Sequence, residues 1–451
     1  MWNDLLQPLR SQDHLSTFRP ERSPFAVDVD RIIFSSSFRR LSRKSQVHPL
    51  AMNDHLHNRM SHSLEVSCVG RSLGTAIGFF LSESGSLPRN VHPVNIGEIV
   101  QAACLAHDIG NPPFGHAGEE AVRGWFLDFE NAKYLEMLDP SARTDFTCFD
   151  GNAQGFRVVT RLEMGGEKTG GLGLTYPVVA SMVKYPISSY RADVAKRGES
   201  RKYSYHSSEK NIFYDIFKAL GLMKTRKHIK RHPLSYLVEA ADDICYSIID
   251  LEDAWEIRLV TYEEMFNACE CILDEELISK MVGHTSDRRK VGHLRAVVIG
   301  RLVSKAKDAF VENYDAIVEG GVKDLISVCC KEASCCVKNA KDLAKRKVYS
   351  EHRKTVLEVG AYSVYSALLS VFIPAAYYYV LNDKPSMMYK YSKALEVLGD
   401  NLPAREPLES KSDELHRAYM GVIDYVSGMT DAYATFVAQQ FSGAGTGPWQ
   451  A

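Results

Sequence analysis

The chain has 451 residues, of which 45% are hydrophobic and 24% charged. That balance excludes a disordered or low-complexity protein, and the length permits a large core without disulfides or structural metals. With 54 basic and 56 acidic residues the formal net charge is −2, so the basic excess of a dedicated nucleic-acid binder is missing.

The start, MWNDLLQPLRSQDH, has no basic-then-apolar leader pattern. No uninterrupted apolar run reaches the roughly 20 residues of a membrane span. The longest, 367–380, contains Pro374 and three tyrosines. Ten cysteines, among them Cys68, Cys104 and Cys245, fall inside apolar or helical patterns without a secreted framework. A cytoplasmic protein with reduced thiols and no membrane contact is expected.

Taken in chain order, helical periodicity dominates. The segment RSPFAVDVDRIIFSSSFRRLSRKSQV (22–47) is followed by NRMSHSLEVS (58–67), in which Arg59 and His62 open a helix predicted over 62–82. The Ser, Gly and Pro content of 82–93 makes it a loop, and a second helix is predicted over 95–107. That helix runs into LAHDIGNPPFGHAGEEA (105–121). His107 and Asp108 end it, and Gly110 with Pro112–Pro113 stop it. If a new helix starts near Gly115, His116 and Glu119 share one face. Loops are predicted at 164–173 and, polar and mobile, at 188–210. A helix over 234–254 carries EAADDICYSIIDLEDA (239–254). Burying its mid-helix acids costs several kcal/mol unless they are paired or bind a metal. Asp242, Tyr246 and Asp250 recur every four residues and share a face, while a solvated helix face is the plain alternative for Asp242 and Asp243. Further helices are predicted over 293–319, 322–345 and 352–372, and the tail 441–451 reads as a frayed end.

An HD dipeptide alone says little in a chain with 15 histidines. Together with His62 and Asp242, however, His107 and Asp108 supply two nitrogens and two carboxylate oxygens. That mixed donor set suits one divalent ion of Mn, Mg, Co, Ni, Fe or Zn, with no basis for choosing among them. EKTGG (167–171) lacks the glycine spacing of a phosphate loop. Cys329–Cys330 and Cys335–Cys336 lack zinc spacing and read as a helical thiol set. The basic run TRKHIKRHP (225–233) reads as a solvated loop, with phosphate or single-stranded DNA contact as its functional alternative. Tyrosines 377–379 read as packing between helices or subunits.

These segments resemble the deoxynucleoside triphosphate triphosphohydrolases of the HD superfamily, the dGTPase family. The resemblance rests on 22–47, HDIGNPPFGHAGE (107–119), FDGNAQGFR (149–157), 239–254 and DYVSGMTDAYA (424–434), in family order. It implies an all-α fold and a single elaborated domain over 1–451. An HD helical core would span about 58–255 and a C-terminal helical region about 256–440, with few short strands. It implies hydrolysis of a dNTP, with dGTP the candidate preferred substrate, to deoxynucleoside and tripolyphosphate. The implied metal ligands are His62, His107, Asp108 and Asp242, the last chosen over Asp243 because Tyr246 and Asp250 follow at the family's spacing. His116 and Glu119 match the catalytic pair, with His116 as acid, base or electrostatic partner. Arg59 matches a phosphate-binding arginine, with Lys184 and Lys210 as further candidates. Gln46 and Val47 match the pair beside sugar and base. Tyr246 would pack on the deoxyribose and Asp250 accept from the 3′-hydroxyl. Asn152, Gln154 and Arg157 would frame the pocket, and Tyr349 and Arg353 would lie near a closing region. Asn111 matches bacterial members. A homo-oligomer, hexameric in the family, and a regulatory nucleotide or single-stranded DNA are the implied partners. Another HD phosphohydrolase, a nucleotidase or phosphodiesterase, and a non-catalytic nucleotide or single-stranded DNA sensor are the alternatives.

Overall fold

A computed structural model describes all residues except 11–15, 20, 48–52, 164–169, 195–201, 282–285, 384–386, 405–407 and 446–451. Parts of the loops at 164–173 and 188–210, of the EKTGG segment and of the tail therefore lie outside the described residues. The fold is all-α. Among the described residues its one sheet is a two-stranded antiparallel hairpin, Met223–Thr225 with His228–Ile229, formed within the exposed basic run.

Local chemistry starts the helices where the sequence indicates. Asn58 caps Arg59–Glu83 by accepting from the Met60 and Ser61 amides, and the Ser61 hydroxyl accepts in return from the Asn58 amide. Pro93 opens Pro93–Ala106 at a position whose N–H has no helical partner. These two helices pack closely because small residues line the contact. A Cβ at Gly74 would stand 2.8 Å from the Ile96 carbonyl oxygen. Ser235–Glu256 packs on Arg59–Glu83, Lys331–Lys347 packs on Ser235–Glu256, and Asp287–Glu312 packs on both Ser235–Glu256 and Arg59–Glu83.

Two apolar cores result. The first gathers these long helices through Leu73, Ile77, Val100, Ile244, Leu294 and Leu343. The second gathers His116–Leu127, His352–Leu381, Lys411–Ser427 and Asp431–Phe441 through Phe126, Phe146, Phe372 and Tyr419. The segment 107–116 passes from one core to the other. By length and composition Arg59–Glu83 and His352–Leu381 could each cross a membrane. Both are packed here, the first against Pro93–Ala106 and Ser235–Glu256, the second against His116–Leu127.

Three segments depart from the periodicity reading. The stretch predicted as one helix over 293–319 breaks at Asn313, whose side-chain amide donates to the Ala309 carbonyl and closes Asp287–Glu312. Of 322–345, only Lys331–Lys347 is α-helical. Asp324 accepts from the Ser327 amide at 2.7 Å, a local bond that competes with helix. Within 188–210 the described residues are not a solvated loop. Ser189–Val194 is helical, and Tyr203, Tyr205 and His206 are fully buried. The tyrosines at 377–379 pack between helices, Tyr377 edge-on to Tyr134 and Tyr378 stacked on Tyr391.

Candidate metal centre and nucleotide pocket

His62 lies one turn into its helix, His107 caps the end of Pro93–Ala106, and Asp242 stands in the middle of Ser235–Glu256. Packing of these helices brings one ligand atom from each within 4.8 Å of the others. His62 Nε2 is 3.1 Å and His107 Nε2 is 3.6 Å from Asp242 Oδ1. Asp108 joins them, its Oδ1 3.6 Å from His107 Nε2. Asp243, one residue on, faces away and pairs with Lys341 at 2.8 Å.

The donor chemistry fits a divalent cation. His107 Nδ1 lies 2.6 Å from the Cys104 carbonyl and must donate to it, which leaves the Nε2 lone pair aimed at the cluster. Burial raises the carboxyl of Asp242, but the His107 and His62 rings outweigh it and hold the group below the usual carboxylate range. Asp108 is held low in the same way, against burial, by Arg59 first and then the two histidines. Arg59 Nη1 bonds Asp108 Oδ2 at 2.6 Å, and the Asn111 amide donates to Asp108 Oδ1.

The cluster opens into a cavity of about 450 Å³. Its wall includes Gln46, Val47, Arg59, His116, Glu119, Asn152, Lys184, Tyr246 and Tyr349. Tyr246 and Tyr349 stack with ring centres 6.0 Å apart. His116 begins a helix after two residues of positive φ, Phe114 and Gly115, and its ring is exposed to the cavity. Burial pushes its imidazole below the usual value, against the pull of Glu119. No direct bond joins His116 to Glu119. Glu119 instead accepts from the Gly151 amide at 2.7 Å and from Lys202 and Arg123 at 3.3 and 3.4 Å.

Several expected residues are placed elsewhere. Lys210 lines a different cavity, beside Arg161 and Tyr214, because it starts the helix Lys210–Ala219 on the far side of the buried 203–206 segment. Arg353 is exposed, and its neighbour Lys354 lines the cavity instead. Asp250 lies under the wall, fully buried, its Oδ2 accepting from the Tyr349 hydroxyl at 2.6 Å. Burial lifts its carboxyl to about 8. Gln154 and Arg157 do not frame the pocket. Both reach Asp424, and Arg157 also bonds Glu209.

Lys202 and Lys354 are cavity residues that the sequence reading missed. Lys202 lies 3.3 Å from both Glu119 and Asp150. The signal was the alternation of Tyr203 and Tyr205 beside it, an aromatic pattern that marks burial within a polar stretch. With Arg59 and Lys184, these make four cations lining the cavity among the described residues, and each is paired to an acid: Asp108, Glu239, Glu358, or Glu119 with Asp150.

A helical body with two imidazoles and two aspartates converging from separate helices defines an HD-type site, and residues 59–141 match the HD domain. The chain is 42% identical to a deoxyguanosinetriphosphate triphosphohydrolase-like protein of Pseudomonas aeruginosa over 98% of both chains. It is 35% identical to one of Synechocystis, covering 98% of this chain and 99% of the relative. It is 28% identical to a deoxyguanosinetriphosphate triphosphohydrolase of Yersinia pestis, over 91% and 92%. The chain belongs to the deoxyguanosinetriphosphate triphosphohydrolase family.

Proposed function

We propose that this protein hydrolyses deoxynucleoside triphosphates to deoxynucleoside and inorganic tripolyphosphate with one divalent ion per subunit. The observation that carries the reading is the His62–His107–Asp108–Asp242 cluster at the wall of a cavity lined by Arg59, Lys184, Lys202 and Lys354. Relatives named for dGTP support a guanine nucleotide among the substrates.

A divalent ion in the cluster supplies Lewis acidity toward an α-phosphate oxygen and a water. The remaining work falls to side chains. A triphosphate entering the cavity exchanges the acids now paired with Arg59 and the lysines for its own oxygens, which fixes the phosphate chain in line. The α-phosphorus to 5′-oxygen bond breaks, the water oxygen stays on phosphorus, and the 5′-oxygen takes up a proton. His116, whose imidazole burial holds below its ordinary value, gains basicity beside a polyphosphate and is placed to move that proton. Glu119 acts through its hold on Gly151 and Lys202. Tyr246 and Tyr349 form the sugar wall, with Asp250 fixing the Tyr349 hydroxyl. We place the activity in a homo-oligomer of the cytoplasm; sedimentation of the purified protein measures the first and cell fractionation the second.

The test is product analysis with each dNTP and added Mn²⁺ or Mg²⁺. Deoxynucleoside and tripolyphosphate are expected. Orthophosphate or a monophosphate would move the protein to another HD phosphohydrolase class, and no turnover of any dNTP would leave a nucleotide or single-stranded DNA sensor.

A further inference from the structure

The C-terminal segment 424–434 lies far along the chain from the cavity residues, yet it bonds the segments that carry them. Asp431, at the start of Asp431–Phe441, is 2% exposed. Its Oδ2 accepts from the Ser45 amide at 2.9 Å and the Ser45 hydroxyl at 2.6 Å, and its Oδ1 accepts from the Phe114 amide at 3.0 Å. One carboxylate thus joins two pocket walls. Ser45 precedes Gln46 and Val47, and Phe114 precedes Gly115 and His116. Phe114 holds φ at +63°, a conformation a phenylalanine keeps only when its surroundings impose it.

A second bond set runs parallel to the first. Buried Lys44 donates to the carbonyls of Asn111 and Ser427, both at 2.7 Å. The Lys44 carbonyl accepts from the Arg59 amide at 3.1 Å, and Ser45 bridges to Asn58. Segment 44–47, the start of the Arg59–Glu83 helix and the 111–116 turn are therefore held together by residues 427–431.

We propose that Asp431 is a positioning residue that sets His116 against the wall carrying Gln46 and Val47. The idea rests on the nucleotide-hydrolase reading above for its kinetic consequence, though not for its geometry. Asp431 touches neither the metal ligands nor the cavity, so its effect is transmitted through the Ser45 and Phe114 amides. A displacement of about 1 Å between reacting groups is enough to lower turnover on the order of a hundredfold.

The test uses Asp431→Asn in the full chain. Asparagine keeps the volume, but its NH₂ must face one of the two amide donors. Turnover of dNTPs is expected to fall by more than about tenfold with KM within about threefold, the signature of lost positioning over lost binding. Mn²⁺ affinity by calorimetry and the melting temperature should stay near the parent values. The ring NMR resonances of His116 should shift while those of His62 and His107 hold. Ser45→Ala removes only the hydroxyl bond and should show the same pattern at smaller size. An unchanged His116 signal with kcat within about twofold of the parent overturns the proposal. So does a fall in kcat that tracks lost Mn²⁺ affinity or lost folded protein. If the parent protein turns over no dNTP, the functional reading fails separately, and the His116 signal alone decides the positioning claim.

Discussion

Among the described residues histidine and aspartate meet in several places, and two of these groups differ in what is left over. In the first, His62, His107 and Asp242 each bring a ligand atom within 4.8 Å of the others beside the cavity, Asp108 lies next to them, and the aimed His107 Nε2 lone pair faces only carboxylate oxygens, at 3.6 Å. In the second, Asp145 is sealed from solvent and its oxygens are taken up by protein donors. It accepts from Ser189 Oγ at 2.5 Å, the Ser207 amide at 2.8 Å and His416 Nε2 at 2.8 Å, with His206 3.7 Å away. Burial raises Asp145, but the bonds from His206 and His416 hold it well below the usual range. The same residue types thus make a candidate cation site in one place and a three-way staple between 140–147, 203–210 and 411–427 in the other. Donor satisfaction separates them, not composition.

The comparison can be broken hardest at Asp242. Asp242→Ala should abolish Mn²⁺ binding and turnover while leaving the melting temperature close to the parent value, measured by calorimetry and by product release. Asp145→Ala should do the reverse. It strands two buried imidazoles and should cost about 3–5 kcal/mol in denaturant unfolding, with turnover per folded molecule retained. Asp145→Asn gives a smaller loss of the same kind should the alanine variant not fold. Equal effects of the two substitutions on metal binding would erase the distinction.

A further buried imidazole, that of His232, sharpens the comparison, because its hydrogen-bond partners include no carboxylate. His232 bonds the Leu5 carbonyl, the Leu234 amide and the Ser181 hydroxyl, all neutral, and burial lowers its imidazole to about 4. The unfolded ring titrates at its ordinary value near 6.5, so between pH 4 and 6.5 the unfolded chain binds the extra proton. Stability must therefore rise with pH across that window, by up to about 3 kcal/mol from this group. His232→Gln should flatten the slope of melting temperature against pH there, and an unchanged slope would assign it to other groups. The smallest effect is expected at Asp243. Its partly exposed pair with Lys341 is worth at most about 1 kcal/mol, so Asp243→Ala should change turnover by less than about fivefold. The opposite ranking of Asp242 and Asp243 would overturn the register of the ligand helix.

Much of this was legible in the chain. The helices read from period 3.6 over 62–82, 95–107 and 234–254 are present as Arg59–Glu83, Pro93–Ala106 and Ser235–Glu256, with the Asn58 cap and Pro93 setting the first two starts a few residues earlier than read. These are local effects, set within one or two turns. The residue types of the cation site are equally plain, since imidazole and carboxylate have few other reasons to interrupt an apolar helix. Lys202 and Lys354 were not legible as cavity residues, nor Asp431 as a link between Ser45 and Phe114, and Lys210, Arg353, Gln154 and Arg157 lie away from the cavity where they were expected. Each depends on a pairing across scores of residues: Lys202 with Glu119, Asp431 with Ser45 and Phe114, Arg157 with Asp424. The sequence by itself determined the helical class, the donor chemistry and the family. Spacing along the ligand helix singled out Asp242 over Asp243, and the structure turns Asp242 to the histidines; tertiary packing alone decided which cations reach the cavity and which acids are sealed away. Side chains one residue apart on a helix point about 100° apart, and only the neighbouring helices decide which of those directions is the interior.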